Sequence, residues 1–206
     1  MKVLLINGSP NEHGCTYTAL SEIAHTLMKY EIDTEVLYLG KKPIAGCIAC
    51  KKCKETGKCT INDKVNEVMA DIDNIDAIIV GSPVYYAGAA GQLTSFLDRL
   101  FYSGGSRMAG KLGASVISCR RGGATAAFDQ LNKYFAISSM PIVSSQYWNM
   151  VHGNTPDEVR KDQEGLQTMR TLGENMAWLL KCIEAGKKAG ISLPTYEPKI
   201  HTNFIR

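Results

Sequence analysis

The chain has 206 residues, a formal net charge of +3, and a globular composition with 45% hydrophobic and 21% charged residues. That length suits one domain with an extension and can bury a sizeable core. The charge is too small to argue for nucleic acid, and no run approaches the roughly 20 apolar residues that cross a bilayer. The opening M-K-V-L-L-I-N-G-S-P has too short an apolar run for a signal-peptide core. The expected location is therefore the cytoplasm, where the seven cysteines read as thiols or ligands rather than disulfides.

Taken in chain order, Val3–Asn7 reads as a buried strand ending at Gly8-Ser9-Pro10. Thr16–Tyr30 has helical spacing through Leu20, Ile23, Ala24, Leu27 and Met28, and Thr34–Leu39 reads as a second strand. A cysteine-bearing insertion fills residues 40–63, and Lys64–Ile72 follows as a short helix. Ala77–Gly81 is a third strand, Gly91–Phe101 a helix, Gly113–Cys119 a fourth strand, and Ala124–Phe135 a helix. Ile142–Ser145 reads as the fifth strand. Residues 156–186 read as one long helix, opened by Thr155-Pro156-Asp157-Glu158. The expectation is one α/β domain over 1–186 with a C-terminal arm over 187–206. Alternating strands and helices imply a doubly wound, five-stranded parallel sheet in three α/β/α layers. Ligands of such sheets bind beyond the carboxyl ends of the strands, at the switch point.

Three loops belong at that edge. G-S-P-N-E-H-G-C-T-Y-T follows the first strand and brings Ser9, Asn11, Cys15, Thr16 and Tyr17 to a helix N-terminus. Such a terminus favours a phosphate. The spacing is neither G-x-G-x-x-G nor a Walker loop, and a terminal monophosphate suits it. G-S-P-V-Y-Y-A-G follows the third strand, where Pro83, Val84, Tyr85 and Tyr86 form an apolar, aromatic wall. S-C-R-R-G-G-A-T follows the fourth. There Gly122 and Gly123 allow close backbone approach to a flat ligand, and Arg120 can stabilise negative charge. Each loop alone has a plainer reading, as a capped helix, a helix-packing pair of tyrosines, or a surface turn. Together they suit flavin mononucleotide (FMN). No catalytic acid, base or triad is evident.

Cys47, Cys50, Cys53 and Cys59 follow C-x2-C-x2-C-x5-C within that insertion. A 4Fe–4S cluster takes four thiolates, and C-x2-C-x2-C is a bacterial ferredoxin spacing. Structural zinc takes four thiolates as well, and a redox dithiol takes two. Lys41, Lys42, Lys51, Lys52, Lys54 and Lys58 surround the cysteines. They read as a solvated face, as compensation for a negative cluster, or as a docking patch for an acidic carrier.

The chain resembles the NADPH-dependent FMN reductase group of flavodoxin-like proteins, and more closely the iron–sulfur flavoproteins of anaerobic microbes. The residues that carry the likeness are G-S-P-N-x4-T at 8–16, the cysteine run at 47–59, S-P-V-Y at 82–85, F-L-D-R at 96–99 and the glycine pair at 122–123. The likeness spans residue 1 to about residue 150. It implies FMN held by Ser9, Asn11 and Thr16 at its phosphate, and by Pro83, Val84, Tyr85 and the Gly122 loop at its ring. It also implies a 4Fe–4S cluster on the four cysteines, and a homo-oligomer, a dimer or a tetramer, that brings cluster and flavin together. Many relatives carry arginine where this chain has Asn11. The Y-W-N-M-V-H-G stretch at 147–153 also resembles relatives, without an assigned role.

Three functions follow as expectations. The first is an FMN-dependent oxidoreductase or electron-transfer protein with the cluster, with NAD(P)H as a possible donor and a ferredoxin-like carrier as a possible partner. The second is a cluster-free NAD(P)H:FMN or quinone reductase. The third is a flavodoxin-like carrier or redox sensor without a substrate of its own. No nucleic-acid or membrane partner is expected. The apolar stripe Leu166, Met169, Leu172, Met176, Leu179, Leu180 and Ile183 fits a subunit contact or ordinary packing onto the sheet.

Overall fold

A computed structural model gives the fold of residues 1–204; residues 205 and 206, the end of the expected arm, lie outside the described residues. The elements run β1 (Lys2–Asn7), α1 (Cys15–Met28), β2 (Asp33–Tyr38), α2 (Lys52–Thr56), α3 (Lys64–Asp71), β3 (Ala77–Tyr85) and β4 (Gly88–Ala89). They continue with α4 (Gly91–Gly104), β5 (Leu112–Cys119), α5 (Ala124–Ile137), β6 (Met150–His152), α6 (Pro156–Lys161) and α7 (Gln163–Lys188). The strand order is β2-β1-β3-β5-β6, all parallel, with β4 pairing antiparallel to the end of β3. The chain steps from β1 to β2 in one direction and from β1 to β3 in the other. The switch point therefore lies between β1 and β3.

Period-two alternation decides the layers. Val3, Leu5, Ala77, Ile79, Ala114 and Val116 point to the face covered by α1, α6 and α7. Leu4, Ile6, Ile78, Val80, Ile117 and Cys119 point to the face covered by α3, α4 and α5. Because both faces are covered, the strands read as near-continuous apolar runs. Among the described residues, no helix is long and apolar enough to cross a membrane.

Three expectations need correction. The fifth parallel strand is Met150–His152, paired with Ile117–Cys119, and not Ile142–Ser145. Ile142 makes only an isolated bridge to Gly113, and Val143 N–H donates to the Gly113 carbonyl at 2.8 Å. The chain then leaves the edge and returns where Ile117 N–H donates to the Asn149 carbonyl at 2.9 Å. The expected long helix is two helices. Asp162, at φ −75° and ψ +80°, ends α6 and caps α7 by accepting from Gly165 N–H. The third strand also runs four residues past Gly81, to Tyr85, so the expected second loop is largely strand and hairpin. The apolar stripe of the last helix packs within its own fold: Leu166, Met169, Leu172, Met176 and Leu180 are buried against α1 and the sheet.

Candidate functional site

The loop after β1 is held by its own side chains. Asn7, fully buried, donates from Nδ2 to the Glu12 carbonyl at 2.9 Å and accepts Ser9 N–H on Oδ1 at 3.1 Å. Ser9 Oγ accepts Asn11 N–H at 3.1 Å, and the Tyr38 hydroxyl donates to the Pro10 carbonyl at 2.7 Å. The helix α1 then starts at Cys15 with Gly14 as its N-cap, no side-chain cap, and no acidic residue in its first turn. The opening N–H groups of a helix have no partners within it, and they carry the positive end of its dipole. This terminus therefore presents donors and positive potential to an anion.

Several expected phosphate-loop side chains also make contacts within the fold. Thr16 is buried, and its hydroxyl shares a 2.8 Å hydrogen bond with Ser118 of β5. The Ser9 hydroxyl accepts Asn11 N–H inside the loop. Cys15 Sγ reaches the Gly153 carbonyl at 3.7 Å, and burial pushes its thiol up from the ordinary range. Tyr17 packs edge-on to His13, with ring centroids 4.8 Å apart. These contacts fix the loop beside the opening backbone N–H groups of α1.

The other two loops meet this one. Gly8 N–H donates to the Gly81 carbonyl at 2.9 Å, and Pro83 lies in register with Ser118. Pro83 and Val84 are half-buried, Tyr85 is half-exposed and Tyr86 fully exposed. Tyr86 and Ala87 turn the β3–β4 hairpin in the left-handed region. Ser82 Oγ accepts Ala90 N–H, and Gln130 Oε1 accepts Ala89 N–H, each at 2.9 Å. Gly123 has φ +85°, and a Cβ there would sit 2.9 Å from Ala87 Cα. Only glycine permits this approach of the third loop to the hairpin. Arg120 and Gly122 are exposed at the same edge. Thus Ser9, Asn11, Cys15, Thr16, Tyr17, Pro83, Val84, Tyr85, Tyr86, Arg120, Gly122 and Gly123 share one end of the sheet.

The cysteine loop is built differently. All four cysteines are free thiols; Cys47 and Cys50 are exposed, Cys53 and Cys59 half-buried. They line one cavity of about 20 Å³ together with Ile48, Ile61, Arg99 and Tyr102. Among the described residues, no three histidine, cysteine or acidic side chains are close enough to hold a metal ion. Cys53 rides on the one-turn helix α2, between left-handed Lys51 and Gly57. Burial, and after it Cys50, Cys59 and Cys47, push its thiol up. The six surrounding lysines are exposed.

Cys59 alone of the four is fixed from several sides. Asn66 accepts the Cys59 N–H on Oδ1 and donates from Nδ2 to the Cys59 carbonyl, each at 2.9 Å. Arg99, only 2% exposed, donates from Nε to Cys59 Sγ at 3.3 Å. Its remaining donors reach both Asp63 oxygens at 2.6 and 2.8 Å, the Ile61 carbonyl at 2.8 Å and the Ala45 carbonyl at 3.3 Å. Burial works against the Arg99 charge, and the bonds to Asp63 and Cys59 more than offset it. Sequence reasoning missed Arg99, Asp63, Asn66 and Ser118 as parts of these sites. A signal existed for Arg99: it stands three residues after Phe96 on the buried face of α4, where a charge needs a partner.

Residues 1–155 match the model of the NADPH-dependent FMN reductase family. An iron-sulfur flavoprotein of Methanocaldococcus jannaschii is 35% identical over 192 residues, covering 89% of this chain and 100% of that protein. Among solved structures, RosB with a bound 8-demethyl-8-formylriboflavin-5'-phosphate intermediate superposes with a TM-score of 0.69 at 12% identity, over 100% of this chain and 94% of RosB. A flavodoxin from the domain Archaea superposes with a TM-score of 0.59 at 18% identity, over 88% of this chain and 99% of the flavodoxin. The fold is flavodoxin-like, as the sequence implied.

Proposed function

The chain belongs to the NADPH-dependent FMN reductase family, and on that premise we propose that it is an FMN-dependent oxidoreductase whose Cys47–Cys59 loop holds a 4Fe–4S cluster. The observation that carries the flavin reading is the meeting of three loops at the β1/β3 switch point, around a helix terminus without a side-chain cap. The cluster reading is supported by four thiols lining one cavity, by an N–H donor already aimed at one of the sulfurs, and by the cluster-bearing name of a relative 35% identical over its whole length.

When bound, FMN supplies two-electron hydride chemistry and the cluster supplies single-electron exchange. The chain's own residues bind and orient. The amides of Cys15, Thr16 and Tyr17 hold the terminal phosphate, in a loop that Asn7 and Ser9 keep rigid. Pro83, Val84 and Tyr85 present one wall to the flat ring, and Gly122 and Gly123 bring backbone against it. Arg120, exposed at that edge, stabilises negative charge on the ring. Cys47, Cys50, Cys53 and Cys59 supply thiolates, and the exposed lysines balance the resulting charge. NAD(P)H is the proposed donor, and a ferredoxin-like carrier the proposed partner of the lysine face.

A second reading, a cluster-free NAD(P)H:FMN or quinone reductase, uses the same flavin edge, makes no demand on the cysteines and is supported by the match of residues 1–155 to the NADPH-dependent FMN reductase family. Anaerobic purification, FMN titration and iron and sulfide assay separate the two. Flavin bands with iron and sulfide support the first; flavin without iron supports the second. An absence of flavin binding contradicts both.

A further inference from the structure

Arg99 has five N–H donors in a planar fork, and each has an acceptor. Two clamp Asp63, whose Oδ1 also caps α3 by accepting Val65 N–H. Two reach the chain on either side of the cysteine run, at Ala45 before Cys47 and at Ile61 after Cys59. These four bonds would suffice to tie the loop to α4. The fifth, from Nε to Cys59 Sγ at 3.3 Å, has no such structural necessity. It places a positively charged donor, almost fully shielded from solvent, on the one cysteine whose peptide Asn66 also grips from both sides. Hydrogen bonds to the sulfurs and net charge are two of the factors that set an iron–sulfur potential, and shielding strengthens both.

We infer that Arg99 is a positioning residue for Cys59: it fixes that sulfur toward the shared cavity and, through its N–H···S bond, raises the reduction potential of the cluster the loop holds. This rests on the cluster reading of the preceding subsection. In this arrangement Cys59 is the most firmly held of the four sulfurs, and Cys47 and Cys50 are the most exposed.

The test uses the full chain, purified without oxygen and supplied with iron, sulfide and FMN. Iron content and the cluster potential, followed by electron paramagnetic resonance during a redox titration, are compared for wild type, Arg99→Lys and Arg99→Gln. FMN affinity serves as the check of fold. The lysine variant keeps a charge but cannot reach Asp63, both carbonyls and the sulfur together. With FMN affinity unchanged, its potential moves to a more negative value, and the glutamine variant's moves further. Loss of iron from either variant while FMN still binds supports the positioning role as well. If Arg99→Gln does not fold, Arg99→Lys decides alone. Iron content and potential both equal to wild type overturn the Arg99 role and leave the cluster standing. A wild-type chain that takes up flavin but no iron overturns the cluster reading and the Arg99 role together.

Discussion

The flavin edge and the cysteine loop carry candidate chemistry in opposite ways. At the flavin edge, Asn7, Ser9, Thr16, Ser82 and Ser118 are buried and hydrogen-bond to one another and to the backbone. The edge is held in shape by the protein's own hydrogen bonds, which keeps the ordering cost of binding low. The cysteine loop is ordered chiefly at its exit, where Arg99, Asp63 and Asn66 hold Cys59. Its entrance, with Cys47 and Cys50, faces solvent. One region is braced throughout by its own side chains; the other is braced chiefly at one end.

That contrast can be broken or sharpened by substitution. The largest effect is expected from Arg99→Met. It removes the Arg99 donors from two loop carbonyls and from the half-buried Asp63 carboxylate, and each polar group so stranded costs about 1–3 kcal/mol. Denaturant unfolding of the iron-free chain checks this. A cost near zero would mean that the exit of the loop is no firmer than its entrance. Thr16→Val comes next. It strands the buried Ser118 hydroxyl, at a cost of about 1–3 kcal/mol, and should weaken FMN binding by loosening the start of α1. Unfolding and FMN titration read the two effects separately. Gly123→Ala follows, with about 1–2 kcal/mol of left-handed strain plus the contact at Ala87. Because that strain falls where the third loop meets the hairpin, FMN affinity should drop while iron content stays unchanged. A parallel loss of iron would show that the two regions are coupled within one chain.

Much of this was legible in the sequence, for reasons that also explain what was not. The short β-branched runs at Val3–Asn7, Ala77–Gly81 and Gly113–Cys119 pair in the expected sheet because both of its faces are covered, so hydrophobicity alone marks them. The edge strand was misplaced because Ile142 and Val143 look more strand-like than Met150–His152. At an edge, backbone pairing on one side decides, and propensity is a weak guide. The break at Asp162 hid inside a continuous apolar stripe, although an aspartate three residues before Gly165 accepts its N–H as an N-cap does. The site residues on strand-end loops announced themselves by glycine, proline and hydroxyl clusters. The supports did not: Ser118 reads as strand and Asn66 as helix surface. Arg99 reads as the last letter of a motif until the buried face of α4 is drawn.

The separation of the two regions is tested most directly by Cys53→Ser, with FMN, iron and sulfide measured per chain beside wild type under anaerobic conditions. Cys53 is half-buried, in a cavity whose lining includes none of the flavin-edge residues. Its replacement should leave the stability of the iron-free chain within about 0.5 kcal/mol, retain FMN at wild-type affinity and abolish the iron and sulfide. Equal iron and sulfide in the variant and wild type, or loss of FMN along with them, would contradict the account.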